Sequence, residues 1–312
     1  MPVSASAEAA RAQRDALIRA MPFVFVLIWA TGFVVARLAM PHSPPFSFLV
    51  MRFGLSAICF AIWIALARAA WPSGRVQWGH LLVTGAFMQA GYLGGVWAAI
   101  RDGLGAGTVA LLVGLQPVLT ALWISRGAAS GRSSVSRRSW LGLLLGFAGL
   151  ALVVWGKLGV GEMTPSNLSL ATVALLSITI GTLYQKRFVA PCDVRSASAV
   201  QMLAGIAVCL PVAMLEPGVM EWHRDLVIAM AWSVGALTLG GSSLLYLLIQ
   251  RGEATAVTSL LYLVPPCTAL MAWALFGESF TPLMMLGMAL TVAGVALVVR
   301  PPRATEAKEN PP

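Results

Sequence analysis

The chain is poor in charge. Lysine, arginine, aspartate and glutamate make up 11% of its 312 residues, while 58% are hydrophobic; soluble globular domains carry roughly 25% charged residues. That balance excludes a water-soluble protein, because the apolar surface exceeds what one aqueous core can hide and lipid must be the solvent. Cysteine is also scarce: Cys59, Cys192, Cys209 and Cys267 stand far apart, without C-x-x-C or Cys/His ligand spacing, which speaks against a disulfide scaffold or structural zinc. The three histidines, His42, His80 and His223, fall in or beside loops. No H-E-x-x-H or G-x-S-x-G occurs, so a membrane-embedded enzyme has little to work with. No G-x-x-x-x-G-K-[ST] is present to hold ATP. The twelve carboxylates lie in tails, loops or span ends, leaving no acid deep in the bilayer to relay protons. The net charge of +9 comes without a dense basic run or aromatic platform, which excludes nucleic acid as a partner. No cofactor and no metal are expected.

What is present is a series of ten apolar stretches, each long enough to cross a bilayer as a helix. They cover 21–39, 46–67, 81–100, 106–125, 139–156, 168–184, 196–214, 226–249, 254–276 and 282–299. The runs are continuous and rich in Gly and Ala rather than alternating, so the fold class is all-α integral membrane and not a β-barrel. The first stretch follows Arg11, Arg14 and Arg19 but ends without a small-x-small cleavage site, and it reads as a span rather than a leader. Of the 21 Lys and Arg, sixteen fall on one side of these spans and three (Arg101, Lys157 and Arg224) on the other, with Arg37 and Arg52 inside or at span ends. Positive charge stays on the cytoplasmic side in short loops, which places both termini in the cytoplasm.

The chain repeats itself. A shift of 149 residues superposes Gly32 on Gly181, Arg52 on Gln201, Gly91 on Gly240, Leu111-Leu112 on Leu260-Leu261 and Pro117 on Pro266. After a shorter loop the shift becomes 145 and pairs Gly142 with Gly287 and Gly149 to Val154 with Gly294 to Val299. A five-helix unit therefore occurs twice. Five is odd, so the copies enter the membrane with opposite polarity, the inverted repeat of many secondary transporters, whose site lies near the midplane between the copies. The expected organisation is a tail over 1–20, a first five-helix repeat over 21–156, a periplasmic linker over 157–167, a second repeat over 168–299 and a tail over 300–312.

Trp29-Ala-Thr-Gly-Phe33 in the first span, Pro44 to Phe53 with Arg52 entering the second, the Pro117 segment of the fourth, and Pro266 through Phe276-Gly-Glu-Ser-Phe280 resemble the drug/metabolite transporter superfamily, specifically its EamA-type ten-helix branch. The resemblance covers about residues 22–299. One departure stands out: in the first copy, Ser125-Arg-Gly127 replaces the Gly-Glu that follows the equivalent helix of the second, so Glu278 has no symmetric mate.

Polar and aromatic groups inside spans mark a candidate site. Gln89 and Tyr92 share a face of the third span at i, i+3, and the repeat puts Ser242 and Tyr246 in the equivalent region of the eighth. Trp29 and Thr31, Gln116 before Pro117, and Tyr262 complete a substrate-binding set with aromatic walls and amide or hydroxyl handles. Each taken singly also fits an interface belt or a helix-bridging role. Arg52 is costly in a span; near the outer end, it reads as snorkelling or bonding carbonyls ahead of direct substrate contact. Arg52, Gln201 and Glu278 are assigned to gating or structure. So are Pro117 and Pro266, read as mid-span kinks. Gly142, Gly146, Gly149, Gly287 and Gly294 allow close backbone approach, for packing or for a homodimer through the Gly-rich helices.

These features lead to a secondary transporter that moves a small metabolite through the lipid bilayer by alternating access. The resemblance implies the bacterial inner membrane, export rather than uptake, and an amino acid or related compound as substrate. The alternatives are a passive channel or facilitator and, less favoured, a lipid-modifying enzyme.

Overall fold

Helices start where proline and capping side chains set the backbone. Pro44, in extended conformation, precedes α2 (Pro45–Ala67) with Pro45 in its first turn, where a missing N–H costs nothing. Thr164 caps α7 (Pro165–Phe188) in a reciprocal box: its Oγ1 accepts from Asn167 N at 3.1 Å, and Asn167 Oδ1 accepts from Thr164 N at 2.9 Å. That box extends the sixth span beyond the expected 168–184 at its start. The computed structural model describes residues 5–127, 137–159, 162–241, 243–244, 261–279 and 281–299, all of them in helices and their connections.

The remaining helices are α1 (Ala5–Ala39), α3 (Arg75–Arg101), α4 (Ala106–Val113), α5 (Gln116–Gly127), α6 (Arg137–Gly159), α8 (Val194–Ala213), α9, α10 (Val264–Phe276) and α11 (Pro282–Val299). α9 runs as α-helix over Arg224–Trp232 and as π-helix over Ser233–Gly240. Among the described residues five helices, within α1, α2, α3, α7 and α8, are long and apolar enough to cross a membrane; α4 and α5 are two halves of one expected span, and α10 follows a 3-10 turn at Leu261–Leu263. α3 starts six residues before the expected 81, and Gln77 in that added length donates to Ala190 O at 2.8 Å. Helix faces sort by solvent. On α2, Phe48, Leu49, Phe53 and Phe60 are buried while Ile58, Ile62 and Leu66 face outward, as they must where lipid replaces water.

Proline corrects one expectation. Pro117 and Pro266 do not kink continuous helices; they sit in the first turns of α5 and α10. The chain breaks just before Pro117, at Gly114-Leu115, so the proline ring faces no preceding helical carbonyl. The 3-10 turn at 261–263 falls at the position equivalent to 112–114. The π-helices of α3 (Ala86–Leu93) and α9 likewise occupy equivalent registers, two residues apart after the shift of 149.

Contacts between the copies show their relative polarity. On α6 and α11, a Cβ added to Gly294 would lie 2.5 Å from Gly142 O, and one added to Gly287 would lie 2.6 Å from Gly149 O. Advancing along α6 means retreating along α11, so these equivalent helices cross antiparallel. The same holds for α2 and α8. Ser47 Oγ at the start of α2 donates to Glu216 just past the end of α8 at 3.1 Å, while Ser196 Oγ at the start of α8 donates to Ala70 O just past the end of α2 at 2.9 Å. Gly32 faces Leu237 and Gly181 faces Met88, again one contact and its repeat image. The paired glycines pack against each other within the chain.

Candidate functional site

The spans with equivalent partners leave a cavity of about 490 Å3 between the halves. Five equivalent pairs line it: Trp29 with Ile178, Arg52 with Gln201, Met88 with Leu237, Gln89 with Thr238, and Tyr92 with Gly241. Residues related by the repeat meet at one place only on the axis that relates the halves, so the cavity lies on that axis. The two contributions differ in kind. The first half provides two aromatic rings, a thioether, an amide and a guanidinium, whereas the second provides two aliphatic side chains, an amide, a hydroxyl and the open space at Gly241. The two walls of the cavity are therefore unlike.

The cavity reaches the end of the molecule rich in Lys and Arg, where exposed Gln185, Lys186, Ala190 and Pro191 form its mouth. Nearby, His80 Nδ1 lies 2.8 Å from the Tyr184 hydroxyl. At the same end Asp193 caps α8 and pairs with Arg195 at 2.6 Å; the side-chain hydrogen bond from Arg195 holds the Asp193 carboxyl below the usual carboxylate range.

The opposite end is closed by polar contacts across the halves. Glu216 accepts from Phe46 N at 3.0 Å and Ser47 N at 2.9 Å, at the start of α2, where the helix dipole favours a negative charge. Glu278 does the same for α4, accepting from Ala106 N at 2.9 Å. Glu221 N donates to His42 O at 2.8 Å, and Arg101 donates to Met40 O within the first half. His42 stacks on His223 with ring centroids 4.2 Å apart, and the donor atoms of His42, His223 and Asp225 all lie within 4.8 Å of one another. These three could share a cation at the closed end; they lie outside the cavity lining.

Of the candidates read from sequence, Trp29, Gln89, Tyr92, Arg52 and Gln201 line the cavity. Thr31 and Gln116 do not. Thr31 accepts from Trp232 Nε1 at 2.8 Å, tying α1 to α9, and Gln116 donates to Thr182 Oγ1 at 2.9 Å, tying the fourth span to the sixth. Pro117, Pro266 and Glu278 also lie away from the cavity. Ser242 and Tyr246 fall outside the described residues, as does the side chain of Tyr262.

Arg52 departs from the snorkelling expectation. Two turns into α2, its side chain is 7% exposed. Nη2 donates to Thr238 Oγ1 at 3.4 Å, the guanidinium lies 5.9 Å from the Trp97 ring centroid, and Nε has no hydrogen-bond partner. The two side chains that meet Arg52, Thr238 and Trp97, are not among the candidates read from sequence. The repeat register pointed to Thr238, which is the image of Gln89; Trp97 carried no signal beyond its place on α3.

Comparison with known proteins agrees with this geometry. The chain matches the EamA-like transporter family model twice, over residues 19–155 and 166–300. It is 25% identical over 299 residues to the uncharacterized transporter YvbV of Bacillus subtilis, covering 94% of each chain. It is 25% identical to the uncharacterized inner membrane transporter YedA of Escherichia coli K12, covering 88% of each. A "Probable amino-acid metabolite efflux pump" of Salmonella typhimurium is 22% identical, over 89% of this chain and 93% of that one. A solved crystal structure shares the fold with a TM-score of 0.62 at 20% identity, over 91% of this chain and 97% of that chain. Two matched copies, the antiparallel pairing of equivalent helices and a cavity on the axis between them agree: the chain belongs to the EamA-like transporter family, within the drug/metabolite transporter superfamily.

Proposed function

We propose that the protein is a secondary carrier that exports a small metabolite, an amino acid or a related compound, across the bacterial inner membrane by alternating access. One observation carries the reading: the cavity lies on the axis between inverted halves, open at one end and closed by cross-half contacts at the other. With the Arg-rich end in the cytoplasm, this is the conformer that loads substrate from inside. Swapping the roles of the two halves would close the mouth and open the opposite end. The name of the Salmonella relative supports the substrate class, and that of the Escherichia relative supports the membrane.

Reconstitution tests the reading. Purified protein in liposomes should show saturable counterflow of a labelled amino acid from a panel, and Trp29→Ala and Gln89→Ala should reduce it at least about tenfold, as expected for lost contacts of about 1.4 kcal/mol or more. Flux that neither saturates nor shows exchange would identify a passive facilitator instead. Absence of any flux across amino acids, N-acylated amino acids and other monocarboxylates, nucleobases and sugars would refute the carrier.

A further inference from the structure

We propose that the substrate carries a single carboxylate, bound by Arg52, and a flat apolar body held between the aromatic residues of the first half. The inference rests on the transport reading and names the chemistry its cavity selects. A guanidinium has five N–H donors and needs acceptors when buried. Arg52 has one long bond to a neutral hydroxyl, the face of Trp97 and an Nε without a partner, while 7% exposed. None of the residues lining the cavity among those described is acidic; its cations are Arg52 within and Lys186 at the exposed mouth. The position equivalent to Arg52 holds neutral Gln201, so among the described lining residues no carboxylate across the axis balances the charge.

An arriving anion supplies what the protein leaves out. Carboxylate matches the planar guanidinium fork, and one deep cation balances one negative charge. A phosphate monoester, with close to two charges, would remain under-neutralised. Trp29, Phe33, Tyr92 and Trp97 then offer surfaces for an aromatic or branched apolar remainder. Among the described residues no lining carboxylate is present to hold an ammonium group, so the amino group of a free amino acid is dispensable. The site fits acylated amino acids and other apolar monocarboxylates.

The test uses the full chain in detergent and reads quenching of tryptophan fluorescence. N-acetyl-L-phenylalanine is titrated against its neutral isostere N-acetyl-L-phenylalanine amide, with phenyl phosphate as a third ligand. Hydrogen bonds to a charged group contribute about 1.5–3 kcal/mol, so the acid should bind at least about tenfold more tightly than the amide. It should also bind more tightly than phenyl phosphate. Arg52→Gln should erase the acid-over-amide preference, and Arg52→Lys should keep part of it. The wild-type comparison decides the matter even if Arg52→Gln does not fold. Equal affinity for acid and amide, tighter binding of phenyl phosphate, no binding of the acid, or a preference that survives in Arg52→Gln would each overturn the assignment. If any of these occurs while amino-acid counterflow stays saturable, the assignment falls and the carrier reading stands; loss of all exchange removes both.

Discussion

Gly149→Ala should loosen the crossing of α6 and α11. Its new methyl would lie 2.5 Å from Thr291 Oγ1 and 2.6 Å from Thr291 N, with Gly287 O closer still. Ordinary contacts begin near 3.4 Å, and two of these three neighbours are backbone atoms that no rotamer change can move aside. The helices must separate by about 1 Å, at a cost of roughly 2–3 kcal/mol by analogy with overpacked cores. At about 2 °C per kcal/mol for a large chain, the thermal midpoint in detergent should fall by roughly 4–6 °C. Gly146→Ala and Gly156→Ala provide the comparison. Their methyls would meet only side chains, at 3.5 Å and 3.7 Å, so a neutral effect or a small gain from helix propensity is expected. Equal midpoints for all three variants would refute the antiparallel crossing as the origin of the effect.

Glu216→Gln removes a charge from the start of α2, about 1 kcal/mol at a helix N-terminus. In a background without native cysteines, Ser43→Cys, buried in the closed end, should then be alkylated about fivefold faster; an unchanged rate argues against a gate there. Gly241→Phe projects into the cavity from a position with little in contact range. Counterflow should be abolished with the thermal midpoint retained, and retained transport would place the substrate path elsewhere. Asp193→Ala removes a cap and ion pair, costing about 1 kcal/mol. Because the Asp193 carboxyl lies below its ordinary range, the wild-type advantage is fully present above the unfolded value of about 3.9 and is lost as pH falls below it. Midpoints of the two proteins measured from pH 7 to pH 3 should keep their gap until the acid end, and a gap that closes near pH 6 would contradict the capping role.

Hydropathy revealed the spans because lipid leaves a helix no other way to satisfy its backbone, and the 149-residue shift revealed the axis because it is a property of residue order. The breaks were harder. Leu111 to Thr120 is one apolar run in sequence, and Pro117 marks a disturbance without saying whether the helix bends or restarts. The π-helices depend on which carbonyl each N–H selects, and nothing in Ala86–Leu93 announces that choice. Among polar residues, Gln89 and Gln116 are indistinguishable as letters; one lines the cavity, while the other has Thr182 within reach. Side-chain type favours Ser242, whereas the register indicates Thr238, the image of Gln89, which lines the cavity. Arg52 lies near a span end in sequence, where snorkelling is the cheaper outcome for a long side chain, but its burial depends on Trp97 of α3 and Thr238 of α9, far away in sequence.

The antiparallel crossing has the form of a two-fold dimer. Gly142 meets Gly294 while their images, Gly287 and Gly149, meet each other, the reciprocity that defines an isologous interface. A five-helix unit able to insert in both orientations would make the same crossing with a second copy of itself. Joining the units in one chain adds no contact there. It fixes stoichiometry and topology, and it replaces an encounter between molecules with the high effective concentration of a tether. It also frees each half to diverge. Arg52 could arise on one side of the axis while Gln201 stands on the other, something no assembly of identical copies can encode.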